Sequence, residues 1–101
     1  MKAVELIKKM YHYAGLSFFI KDDQINNKVI NIIYEMIKQI RVCSRAMSYI
    51  PSPPMGKPGV FWIASNAGKI IAGMNEGKIS KACVIKAADN YKTDLFLATV
   101  R

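Results

Sequence analysis

The chain predicts a mainly α fold, a small helical domain of about four helices built around one long central helix. Three observations carry that expectation. Apolar residues recur at helical spacing through most of the chain, a heptad-like apolar seam runs unbroken through its second quarter, and Pro and Gly gather where helices have to stop. A length of 101 residues leaves room for a single domain, 1–101, with one core.

Residues 3–14 read as the first helix. Val4, Ile7, Tyr11 and Ala14 recur at intervals of 3, 4 and 3, while Glu5, Lys8, Lys9 and His12 fall largely on the other side. Gly15 is a natural stop, and residues 16–20 form a short apolar connector. Asp22 and Asp23 then offer capping oxygens and negative charge at the start of a second helix. From there Val29, Ile33, Met36, Ile40, Cys43, Met47 and Ile50 alternate intervals of 4 and 3, with Ile30 and Ile37 widening the seam on one flank and Ile25 and Ile32 on the other. This helix is expected from about residue 23 to 49, some ~40 Å at ~1.5 Å per residue. A helix so long in a chain so short is either the spine of the fold or lends part of its seam to a partner.

Pro51, Pro53, Pro54 and Pro58, with Gly56 and Gly59, end that helix and make an extended loop over 51–59, which separates two subdomains. Beyond it the pattern supports two readings. At period 3.6, Val60, Ile63, Ala67, Ile70 and Met74 form a stripe between Pro58 and Gly77, and Val84, Ala88, Tyr91 and Leu95 form another with Ser80 as its cap. At period 2 the same residues allow an α+β alternative: two N-terminal helices plus a C-terminal antiparallel β-meander, turning at Asn66-Ala67-Gly68. Gly68 and Gly73 favour strands, at about 1 kcal/mol each inside a helix. The abundance of Ala and scarcity of Val and Thr favour helices. Helices are the expectation, with Leu95–Val100 extended in either case.

The chemistry is sparse. His12 is the one histidine, and a small nuclease-like toxin built on it would need a second positioned group that the sequence does not designate. Asp22 and Asp23 read as a cap rather than an acid–base pair. Gly73, Gly77 and Lys78 fall short of a phosphate loop, which needs one more intervening residue and a Ser or Thr where Ile79 stands. Cys43 and Cys83 lack metal-ligand spacing and read as buried, inert core thiols. Ala64, Gly68 and Ala72 make a ladder of small residues, read as internal helix packing. No catalytic residue, cofactor or metal site is expected.

Charge supplies the one constellation with content. Fifteen Lys and Arg against seven Asp and Glu leave +8, a balance that favours anionic partners. Twelve Lys to three Arg in an Ile-rich chain is equally what AT-rich coding produces, so net charge alone carries no site. Spacing says more. Tyr34, Lys38, Arg41 and Arg45 follow at 4, 3 and 4, a ridge roughly 160° around the helix from the seam at about 100° per residue. Three cations and an aromatic on an outward face suit phosphates and bases, and Arg is the better phosphate fork. Glu35 and Asn31 flank this ridge and are expected not to neutralise it.

Two functions follow from different surfaces. The first is a non-enzymatic basic protein docking on an anionic partner, nucleic acid before an acidic protein surface. The second is a protein-interaction module that uses the apolar seam, as a homodimer or as an inhibitor or regulator of a larger complex. No run reaches the ~18 apolar residues of a membrane span. Glu5, Lys8 and Lys9 interrupt the one candidate leader, so a cytoplasmic address is expected.

Overall fold

Four helices account for the apolar periodicity in the computed structural model, which describes residues 3–13, 22–43 and 50–100: α1 (Ala3–Tyr13), α2 (Asn27–Cys43), α3 (Val60–Asn75) and α4 (Lys81–Thr99). Among the described residues there is no strand. The fold is mainly α, and the β-meander alternative for the second half is wrong.

The seam of α2 is the spine. Val29, Ile33, Met36 and Ile40 are fully buried, as is Ile37, and Ile30 is nearly so. Each such side chain contributes on the order of 2–3 kcal/mol of apolar burial. α2 packs against both α3 and α4, and α1 packs against α3. Ile7 and Met10 of α1, Ile63 and Ile70 of α3, and Val84 and Leu95 of α4 join the α2 residues in one cluster. The chain itself therefore covers the seam from Val29 to Ile40, while Cys43, at the end of the described helix, is exposed. Met47 and the stretch 44–49, where the helix was expected to continue, lie outside the described residues, as do Gly15 and the connector 16–20.

The start of α2 corrects the expected cap. Asp22–Gln24 forms a separate 3-10 turn, and Asn26 caps the helix: its Oδ1 accepts a hydrogen bond from Val29 N at 3.1 Å. A side chain caps only when it sits two or three residues before a free helical N–H, and with the helix beginning at Asn27 the two aspartates are too early.

α3 tolerates its glycines because each has a job. A Cβ built on Gly68 would meet Leu6 Cδ2 at 3.4 Å, so the glycine sits where α3 packs against the Leu6 side chain of α1. Gly73 is buried, and its carbonyl accepts from Lys78 N at 2.7 Å and Ile79 N at 3.0 Å. With Gly77 N donating to Met74 O at 3.1 Å and Gly77 at φ 74°, this is a Schellman ending, which places Ile79 in the core. Ser80 then caps α4, accepting from Cys83 N at 3.4 Å. The expected extended tail is helical instead: Leu95 is fully buried, and the helix runs to Thr99, whose carbonyl accepts from Gln24 Nε2 at 3.4 Å. A core anchor in the last two turns outweighs the local β preference of Thr99, and only Val100, the C-cap, is extended.

Between α2 and α3 the proline-rich segment forms the expected loop, with a 3-10 turn at Pro54–Gly56. Pro53 is buried, whereas Met55 is 97% exposed and held at φ 55°, the left-handed region that a side chain makes costly.

Candidate anion-binding face

Helical spacing sets Tyr34, Lys38 and Arg41 along one side of α2, and the structure brings these three together; Arg45 lies outside the described residues. Their surroundings differ from an outward ridge. Tyr34 is half-buried and stands edge-on to Trp62, with ring centroids 5.3 Å apart and planes at 77°. Lys38 Nζ lies 5.2 Å from the centre of the Tyr34 ring and 3.3 Å from Glu35 Oε1. Glu35 thus does pair with the ridge, contrary to expectation, because i and i+3 side chains on one face come within reach. The pair is about half exposed at both ends, so water screens it and its worth is small. Arg41 Nη1 donates to Ser52 Oγ at 3.3 Å, which ties the end of α2 to the proline loop.

Those contacts reveal residues that spacing could not supply. Trp62 belongs to the first turn of α3, and with Tyr34 it brings the beginning of that helix to the ridge. The helix starts behind Gly59 with no side-chain cap and no acidic residue in its first turn. The amides of Val60, Phe61 and Trp62 precede the first helical bond, from Ile63 N to Gly59 O at 3.0 Å. An uncapped N-terminus carries roughly half a positive charge. Phe61 is 88% exposed there, and Lys57 is exposed just before it. The Trp62 indole N–H and Asn66 Oδ1 are both buried with no partner among the described residues, while Asn66 Nδ2 donates to Trp62 O at 2.6 Å. The only advance sign of this corner was the proline run, whose stiffness makes it a fixed strut.

Other surfaces suit an anion less well. A groove of about 550 Å³ between α2 and α4 has an apolar floor of Ile32, Tyr91 and Leu97, but Glu35 and Asp94 line it along with Lys28. His12 is exposed on α1. No group of three or more His, Cys, Asp or Glu side chains among the described residues is placed to hold a metal ion. No helix of the described residues is long and apolar enough to cross a membrane.

The cysteines also correct the reading. Cys43 is exposed and Cys83 half-buried. Val42, beside Cys43 in the last described turn of α2, is 75% exposed as well. Compared with known proteins, the chain matches no family model, no curated protein and no solved structure.

Proposed function

We propose that this chain is a non-enzymatic binding protein that docks stoichiometrically on an anionic partner, nucleic acid first, through the face where α2 meets the start of α3. One observation carries the reading: Trp62 stands edge-on to Tyr34, so the uncapped N-terminus of α3 adjoins the helix face that holds Lys38 and Arg41. Cationic side chains and free helical amides both favour phosphate oxygens. Phe61, exposed on the same turn, supplies a ring on which an unpaired base stacks. Tyr34 acts here as a positioning residue, since Trp62 and Lys38 already engage its ring.

Binding of single- and double-stranded nucleic acid across a salt series tests this. A face that engages about five phosphates loses roughly 500-fold in affinity between ~50 and ~200 mM salt. Reversing Lys38 and Arg41 to Glu lowers the slope by about two phosphates' worth, and Phe61→Ala weakens single-strand binding selectively. Binding left unchanged by the double reversal sinks the reading.

A second reading has its own observation. Met55 is 97% exposed on a strained backbone in the loop that leads to α3, and an apolar tip of this kind suits a pocket on a protein partner. In that case Met55→Asp and Phe61→Asp abolish partner binding, and salt has little effect. A homodimer would have to use a surface other than Val29, Ile33, Met36 and Ile40, which the chain covers itself.

A further inference from the structure

Cys43 and Cys83 lie far apart in the chain but meet in the fold. α2 and α4 run antiparallel, as two contacts between residues of the two segments fix: Gln24 Nε2 donates to Thr99 O, and Asn90 Nδ2 donates to Gln39 Oε1 at 3.1 Å. One turn beyond Gln39 along α2 is Cys43. Two turns before Asn90, on the same side of α4, is Cys83. That register sets the two cysteines near one another, Cys43 is among the groups that act on the Cys83 thiol, and both are free. Cys43 is open to solvent, and Cys83 stands half-buried behind it in the first turn of α4.

We propose that Cys43 and Cys83 form a reversible dithiol–disulfide couple, an oxidation site that staples the end of α2 to the start of α4. The oxidant is a low-molecular-weight disulfide, RSSR. The thiolate of Cys43 attacks one sulfur of RSSR; the S–S bond breaks, RS⁻ leaves and takes up a proton, and Cys43 carries the mixed disulfide. Cys83, facing Cys43 from α4, gives its proton to solvent and attacks that sulfur, and the second RS⁻ leaves as RSH. Two protein thiols are oxidised to a disulfide, and RSSR is reduced to two RSH. The roles follow from the surroundings. Burial, then the neighbouring Cys43 thiol, push the Cys83 thiol up to about 12 against the opposing pull of Lys86, so Cys83 resolves and does not attack first. The bridge closes a loop that contains the proline segment and all of α3, which removes freedom from the unfolded chain. The couple stands whether or not the basic face binds nucleic acid.

Incubating the purified full chain with oxidised glutathione, then alkylating and measuring intact mass and peptide maps, tests it. The expected product is a monomer lighter by two hydrogens, with a Cys43–Cys83 cross-linked peptide, a higher unfolding midpoint and full reversal by dithiothreitol. Cys83→Ser should stop at a glutathione adduct on Cys43, with Cys83→Ala as the substitute if circular dichroism shows the serine variant unfolded. Wild-type protein that accumulates only glutathione adducts or intermolecular dimers, with no internal bridge, overturns the proposal.

Discussion

α2 and α4 are neighbours of similar length, 17 and 19 residues, yet they hold the fold by different means. α2 buries six large side chains, from Val29 to Ile40, in a stripe. α4 buries Val84, Ala87, Ala88 and Leu95, of which two are alanines. A helix that presents alanines lets its neighbour come near but brings little apolar area of its own, whereas one that presents isoleucine brings area and shape. The periodicity of the first is plain in the sequence; that of the second is thin, and its neighbour rather than its own stripe holds it as a helix.

The largest effects should expose that asymmetry. Ile33→Ala removes a fully buried side chain from the middle of the spine and is expected to cost about 3–4 kcal/mol, read by urea unfolding. Leu95→Ala, the one large anchor in the last turns of α4, should cost about 2–3 kcal/mol and release the contact between Gln24 and Thr99. Equal costs at Ala88→Gly and Ile33→Ala would break the comparison, because α4 would then matter for its own packing.

Helix ends sharpen it further. Gly77→Ala forces a side chain into φ 74° and is expected to cost about 1–2 kcal/mol, although nothing within 4 Å would meet the new Cβ. Asn26→Ala should cost about 1 kcal/mol at the start of α2, and Ser80→Ala about as much at the start of α4, whereas Asp23→Ala should change little. A large loss at Asp23 would restore the aspartates as the cap. Stability also has an alkaline arm. Cys83 keeps its proton in the folded chain up to about pH 12 but loses it in the unfolded chain near the ordinary thiol value of 9.0, so folding stability falls across that interval. Cys83→Ala should flatten this part of the pH profile, and an unchanged profile would show that Cys83 meets no such surroundings.

The helices were legible where a single stripe and a strong stop coincided. Val29 to Ile40 declared α2, and Pro58 with Gly77 bounded α3. What stayed hidden depends on distance in the chain. Asn26 took the cap from Asp22 and Asp23 because the helix register, not the residue type, decides which oxygen reaches an amide. The partners of Tyr34 and Arg41 are Trp62 and Ser52, brought in by a proline loop whose path no local pattern describes. Cys43 and Cys83 each read alone as core, and only the antiparallel pairing of α2 with α4 makes them one site.

The smallest stability effect carries the most information about function. Lys38 is half exposed and held by Glu35 at 3.3 Å and by the Tyr34 ring, contacts that water weakens. Lys38→Gln should therefore shift unfolding by no more than about 0.5 kcal/mol. If the same ammonium is a phosphate contact, its loss should lower the salt slope of nucleic-acid binding by about 0.9. A residue nearly silent in stability and visible in binding belongs to the surface, while Ile33 on the opposite side of the same helix should show the reverse. Were Lys38→Gln to destabilise the fold like a core change and leave the salt slope unaltered, its pairing with Glu35 and Tyr34 would be structural, and both faces of α2 would serve the fold alone.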